Sequence, residues 1–210
     1  PDGNVYAPPF NATRVLRVEC ATSVVGFIGT VFTPMGHKWH TAALGGNGRL
    51  FAGPCNAGNI LYIDAAFVTA GPTGVPFPRF PHGQQKWRFA LSGPDGCVYV
   101  LPWTANGLLR VDCRAGVKHV EGDLLGKGLV AGEQHWKAAV VGPGDLLYAV
   151  PFDAGQLMRV DSAKEGAPSE LGRWARWTAR RGLWSFWARS RRCHCDMIPW
   201  SSTRMGRMRK

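Results

Sequence analysis

Through residue 172 the chain runs as short apolar stretches, each closed by glycine, proline, or an asparagine or aspartate pair. Such stretches between turn residues read as β-strands. In "CVYVLP" (97–102) the period is two, with Val98 and Val100 set against Tyr99 and Leu101. Pro102 ends the run, because proline has no N–H to give to a ladder. No stretch within 1–172 keeps the 3.6-residue spacing of an amphipathic helix.

The runs recur as a unit. "PDGNVYAPPFNATRVLRVEC" begins at Pro1 and "GGNGRLFAGPCNAGNILYIDA" at Gly45. "GPDGCVYVLPWTANGLLRVD" begins at Gly93 and "GPGDLLYAVPFDAGQLMRVDS" at Gly142. The aromatic after the turn is Tyr6, Phe51, Tyr99 and Tyr148, at spacings of 45, 48 and 49. The proline repeats in the same register as Pro9, Pro54, Pro102 and Pro151. A tryptophan stands upstream of the last three units (Trp39, Trp87, Trp136), and an acid closes each third run (Glu19, Asp64, Asp112, Asp161).

Each unit reads as four strands. The first starts at the tryptophan, and an Asn-Gly or Asp-Gly hairpin turn follows in three units. After the proline, the turns at Asn11-Ala12, Asn56-Ala57, Thr104-Ala105 and Asp153-Ala154 lead into the third strand. A weaker fourth strand is expected in the variable part, for example at 116–122.

A lone four-stranded sheet of this size has two bare faces and two open edges. Stacking copies radially covers the faces and shields the edges, and four-strand units of about 40–50 residues are propeller blades. The fold expected is therefore all-β: a β-propeller of about four blades, a fragment of a larger ring, with an irregular basic C-terminal tail. The units lie near 1–36, 37–84, 85–133 and 134–174, and the first lacks its opening strand. Each tryptophan is expected between neighbouring blades, with Tyr6, Phe51, Tyr99 and Tyr148 as further structural anchors.

Charge separates the tail from the rest. From Arg173 to Lys210 there are eleven Lys and Arg against one acid, whereas residues 1–172 carry fourteen basic and thirteen acidic side chains. The repeat region gives no global argument for nucleic acid or membrane binding. Trp174 falls where a fifth unit would open, but residues 175–210 leave the pattern and bring four further tryptophans. Two readings stand side by side. The segment resembles GC-rich coding DNA translated in a shifted frame, which would leave it disordered or poorly packed. Alternatively it is an Arg/Trp-rich arm for RNA or anionic lipid. Nucleic acid is a partner only on the second reading. No apolar run reaches the roughly 18 residues of a membrane span.

The repeat Gly-Pro-Asp-Gly-x-Val-Tyr followed by Arg-Val-Asp resembles the repeats of streptogramin lyase-like and NHL-like propellers. It is also similar to a protist and algal propeller repeat with Lys-Trp, Asp-Gly-x-Ile-Tyr and Val-Leu-x-Ile-Asp. The resemblance spans residues 1 to about 174 and implies the fold. The lyase-like relatives imply catalytic His and acidic residues with a divalent metal near the channel. No residue here matches that set, so none is assigned.

Candidate chemistry is sparse. Cations flank the repeat tryptophans: Lys38 and His40, Lys86 and Arg88, His135 and Lys137. On a regular strand each pair shares the face opposite the indole. On innermost strands they would form a basic ring for a carboxylate, a phosphate or an acidic peptide; the alternative is solvated strand ends. The repeating acids read as turn acceptors. His37 and His40 would point to opposite faces of a strand, which disfavours zinc. Asn11-Ala12-Thr13 is formally a glycosylation acceptor but sits at a repeat turn. Cys20, Cys55, Cys97 and Cys113 occupy variable slots rather than a paired framework, which favours a reducing, cytoplasmic compartment. No catalytic set and no cofactor emerge. The function expected is a monomeric, non-catalytic scaffold binding a protein or a small anionic ligand; the alternative is a lyase- or lactonase-like enzyme with a divalent metal ion in its channel.

Overall fold

The computed structural model describes residues 2–74, 85–105, 107–113, 122–125, 135–154, 156–162 and 172–176, with backbone only for 122–125, 156 and 172–176. All lie in the first of the chain's two compact units, Pro1–Thr178; the second, Ala179–Lys210, is outside the described residues.

Four antiparallel sheets follow one another along the chain. Blade 1 has three strands, β1 (Val5–Ala7), β2 (Val15–Glu19) and β3 (Val24–Ile28). Blade 2 comprises β4 (Ala43–Leu44), β5 (Leu50–Ala52), β6 (Leu61–Asp64) and β7 (Thr69–Pro72). Blade 3 comprises β8 (Trp87–Ser92), β9 (Val98–Pro102), β10 (Leu108–Val111) and β11 (Gly122–Leu125). Blade 4 comprises β12 (Trp136–Gly142), β13 (Leu146–Pro151), β14 (Gln156–Asp161) and β15 (Gly172–Arg176). Strands pair only in chain order, so every sheet is a meander. Contacts between blades include β4 with β8 and β8 with β12, so the first strands converge, as radial sheets do at an axis.

The architecture is a β-propeller, and the alternation seen in the sequence explains its core. Val98 and Val100 pack with Phe51 and Ile60 of blade 2. Tyr99 and Leu101 of the same strand pack with Leu147 and Met158 of blade 4. One strand thus serves two interfaces, and all five residues of β9 are buried.

Each of the three interfaces holds one repeat tryptophan: Trp39, Trp87 and Trp136 are 3%, 0% and 1% exposed. Each tryptophan pairs across its sheet with the repeat proline, as Trp39–Pro54, Trp87–Pro102 and Trp136–Pro151. A buried indole must satisfy its N–H. Trp39 Nε1 donates to Asn59 C=O at 2.8 Å, and Trp87 Nε1 donates to Gly107 C=O at 3.0 Å, twenty residues downstream in both blades.

The turn glycines Gly3, Gly48 and Gly96 hold φ of +76°, +79° and +78°, a region that penalises any side chain with a Cβ. In blade 4 the dipeptide is inverted to Gly144-Asp145, and both residues take positive φ within a short 3₁₀ turn.

Blade 3 has its fourth strand at Gly122–Leu125; of the expected 116–122, all but Gly122 lie outside the described residues. Two expectations need correction. Trp174 does not open a fifth unit: its segment pairs with β14 as the outer strand of blade 4. It falls only 38 residues after Trp136, against 48 and 49 for the earlier intervals, so an outer strand has no room ahead of it. Blade 2 also lacks a continuous first strand. Between the Trp39 bridge and Ala43 the chain departs from the ladder, and Thr41 reaches into blade 3 instead. Its hydroxyl donates to Arg88 C=O at 3.0 Å and accepts from Ala90 N–H at 2.7 Å.

Removing the fully buried indole of Trp87 strips the blade 2–blade 3 core of its largest side chain. Trp87→Ala is expected to lower unfolding free energy by about 3–5 kcal/mol in urea titrations followed by circular dichroism, and Trp87→Phe by clearly less. A loss below about 1 kcal/mol for the alanine variant would contradict the packing described.

Candidate ligand-binding site

The cations beside the tryptophans separate into two slots. Lys38, Lys86 and His135, just before each indole, are 2%, 2% and 4% exposed. They carry a backbone belt that passes from blade to blade. Lys38 N–H donates to Phe10 C=O at 2.8 Å, Lys86 N–H to Cys55 C=O at 3.1 Å, and His135 N–H to Trp103 C=O at 2.9 Å. Their own carbonyls accept from Cys55, Trp103 and Phe152 N–H at 2.9, 2.7 and 2.8 Å. The side chains of the two lysines extend the belt. Lys38 Nζ donates to Met35 C=O at 2.7 Å and to Asn11 C=O at 3.2 Å, and Lys86 Nζ to Ala57 C=O at 3.0 Å. The lysines therefore bind the Asn-Ala turns of the preceding blades. Burial lowers the Lys38 pKa and brings that of Lys86 down to about 8.

His40, Arg88 and Lys137, just after each indole, behave differently. Arg88 and Lys137 are the extra residues of β-bulges: Trp87 pairs with Pro102 but Phe89 with Leu101, and Trp136 with Pro151 but Ala138 with Val150. A bulge re-aims its extra side chain. The two cations of each pair accordingly meet different surroundings: one is buried, while His40 and Lys137 are exposed and Arg88 is half-buried.

Each of these outer side chains meets an aromatic ring from the slot after a repeat proline, His40 that of the preceding blade, Arg88 and Lys137 those of their own. His40 meets Phe10 edge-on at 5.2 Å, the Arg88 guanidinium lies 4.1 Å from the Trp103 centroid, and Lys137 Nζ lies 5.3 Å from that of Phe152. Trp103 and Phe152 pack 5.1 Å apart across blades 3 and 4. Arg88 also donates to Gln85 Oε1, and its Nε is buried without a hydrogen-bond partner. The post-proline aromatics were not singled out from the sequence; their recurrence at that slot was the available signal.

His37 and His40 do not point apart as a regular strand would require. His37 has φ of +58° and stacks on Phe10 at 4.4 Å, so both histidines address one ring. Gln85 Nε2 lies 3.0 Å from His37 Nδ1. Among the described residues, no group of three or more His, Cys, Asp or Glu side chains is placed to hold a metal ion.

The remaining sequence candidates serve the scaffold. Asp64 caps its turn, accepting from Ala66 and Phe67 N–H at 3.1 and 3.3 Å, and pairs with Arg49 at 2.5 Å. Asn11 Oδ1 accepts from His37 N–H at 3.0 Å, which occupies the formal glycosylation side chain in a turn contact. Cys20 is exposed and Cys55, Cys97 and Cys113 are buried, all as free thiols. Burial raises the Cys97 pKa to about 12 and that of Cys113 to about 11, so neither is a ready nucleophile.

One constellation was missed: the refrain aromatic belongs to a triad. Tyr99 OH donates to Asp95 Oδ2 at 2.9 Å, and Arg110 donates to Asp95 at 3.0 Å and to Tyr99 OH at 3.3 Å. Burial alone would raise the Asp95 pKa, but the hydrogen bonds from Arg110, Tyr99 and Cys97 outweigh it and hold it low. Blade 1 repeats the Tyr6–Asp2 bond at 2.6 Å, with Arg17 opposite Tyr6. Blade 2 replaces the set together, with Asn47, Phe51 and Tyr62 at the three positions.

No protein-family model and no curated protein sequence matches the chain. Solved structures do resemble it. A virginiamycin B lyase from Staphylococcus aureus superposes with TM-score 0.57 at 15% identity, over 77% of this chain and 50% of the lyase. Hydrazine synthase of Kuenenia stuttgartiensis gives TM-score 0.54 at 15% identity, over 77% and 44%. An auxiliary nutrient binding protein from Bacteroides ovatus gives 0.53 at 12% identity, over 75% and 42%. The chain thus spans about half the length of the structures it resembles, and the likeness establishes the propeller fold.

The Lys86 assignment has a signed pH consequence. Its pKa is about 8 in the folded chain against 10.5 when unfolded, so between these values the unfolded chain holds more protons. Stability contributed by this site should therefore rise as pH rises from about 8 to 10.5. In thermal melts across that range the stability of wild type relative to Lys86→Met should increase steadily with pH. A constant difference would refute the buried assignment.

Proposed function

We propose that the protein is a non-catalytic binding module whose ligand is a small anion with a flat apolar body, held at the rim formed by Phe10, His40, Arg88, Trp103, Lys137 and Phe152. The carrying observation is that Arg88 and Lys137, at the same slot in successive blades, each lie over the post-proline aromatic ring of their own blade, with His40 edge-on to Phe10 of the preceding blade. Arg88 over the buried Trp103 indole and Lys137 over Phe152 offer N–H groups to a carboxylate or phosphate, while Phe152, 49% exposed, offers an apolar surface. The nutrient-binding propeller from Bacteroides ovatus is a precedent for binding on this fold, although fold alone assigns no ligand.

His40 adds a pH dependence. Partial desolvation, followed by the positive charges of Arg88 and His37, holds its pKa below the ordinary histidine value, so the ring is neutral at pH 7. A bound anion favours the protonated ring, and affinity should rise as pH falls below 6.5.

Isothermal titration with aromatic carboxylates and phosphate esters tests the reading. The double variant Arg88→Glu, Lys137→Glu should lose about tenfold or more in affinity with its circular dichroism unchanged, and His40→Gln should flatten the pH dependence. Anion binding that survives the charge reversal would overturn the proposal. Tight binding of a divalent ion to the wild-type chain would instead favour the lyase-like alternative.

A further inference from the structure

The position two residues before each repeat indole is His37 in blade 2 and Gln85 in blade 3; its third copy, Gln134, lies outside the described residues. The two described copies touch. Gln85 Nε2 lies 3.0 Å from His37 Nδ1, and Gln85 Oε1 accepts from the Arg88 guanidinium. One carboxamide therefore joins the part of the rim built on Phe10 to the part built on Trp103. Both ends of the link are held from behind. His37 N–H donates to Asn11 Oδ1 at 3.0 Å, and its carbonyl accepts from Asn56 N–H at 2.7 Å. These bonds keep the residue at its φ of +58° and its ring stacked on Phe10. Gln85 is anchored through its carbonyl, which accepts from the Thr104 hydroxyl at 3.1 Å.

Chemistry allows one arrangement of this link. A guanidinium carries donors only, so the atom of Gln85 that faces Arg88 must be the oxygen. The NH₂ group is then left for His37, and a donor there requires a lone pair on Nδ1. The neutral His37 ring accordingly carries its proton on Nε2. We propose that Gln85 is a positioning residue of the rim: its carboxamide fixes His37 as the Nε2–H tautomer and steadies the Arg88 guanidinium over Trp103. The consequence for binding rests on the reading of the rim as an anion site. An anion arriving there meets an Arg88 already oriented by the fold, so less freedom of a long side chain is lost on binding.

Nitrogen-15 spectra of the histidine rings test the tautomer without any ligand. At about pH 9, above the ordinary histidine range, wild type should show an unprotonated Nδ1 and a protonated Nε2 for His37, assigned by the loss of its signals in His37→Ala. Gln85→Glu replaces the NH₂ donor with a second acceptor, so the proton should move to Nδ1. Calorimetric titration with phenyl phosphate tests the hold on Arg88. Gln85→Leu should bind this probe about three- to tenfold more weakly than wild type, with unchanged circular dichroism. A His37 proton on Nδ1 in wild type, a Gln85→Glu spectrum matching wild type, or a Gln85→Leu chain that binds as tightly as wild type would each overturn the proposal. A wild type that binds no phenyl phosphate overturns the rim reading instead, and the ring spectra then decide the Gln85 assignment by themselves.

Discussion

The structure depends on burial of one indole between each pair of neighbouring sheets. Each sheet is too small to hide either face alone, so stability comes from the interfaces rather than from within blades. An indole suits that place because it spans the gap with a large apolar body while its single N–H reaches a carbonyl of its own blade. Trp39 and Trp87 make this bond to the same repeat position, so the ring is fixed in orientation as well as in depth. The repeat proline follows from the same constraint. Pairing opposite the tryptophan, it ends the ladder there and releases the next residue to join the belt between blades.

That belt explains why residues that look alike in sequence do different work. The position before each indole is tied through its N–H to the preceding blade and through its carbonyl to its own blade. A side chain rooted there lies inside the interface, where only a long donor such as Lys38 or Lys86 reaches the carbonyls of the neighbouring turn. The position after the indole is displaced by the bulge in blades 3 and 4 and by the irregular segment in blade 2. Its cation meets the ring aromatics at the rim. A bulge of one residue thus divides an apparent basic ring into a half buried in the interfaces and a half at the rim.

The fold was legible because its signals are short in range and repeated. Asp95-Gly96, Tyr99, Pro102 and the Arg110–Asp112 segment each mark a turn or a strand end, and four copies fix the period. Irregularities were not legible, because they arise between blades. Nothing in "KWRFA" announces that Arg88 is the extra residue of a bulge, since that register is set by the partner strand. Nor does "HKWHTA" reveal that Thr41 leaves its own ladder to bracket the blade 3 backbone. The slot holding Phe10, Cys55, Trp103 and Phe152 looked variable because its side chains differ. The shared feature is their backbone, whose carbonyls at Phe10, Cys55 and Trp103 receive the next blade.

The joint replacement in blade 2 shows how the repeat tolerates change. In blade 3 the Arg110 charge is held by Asp95 and the Tyr99 hydroxyl, across a strand pair with little exposure. Removing the hydroxyl and the carboxylate alone would leave a guanidinium there without its partners, which costs more than losing the whole set. Blade 2 has lost all three: Asn47 turns back to its own backbone, Phe51 is fully buried, and Tyr62 packs on the apolar core that Trp87 anchors. Blade 4 shows a partial form: Tyr148 stays opposite Arg159 while Gly144 takes the aspartate position, and Arg159 is exposed, where water solvates its charge. The indole faces no such substitution in the three blades with a described first strand, because no smaller side chain fills the wedge between two sheets.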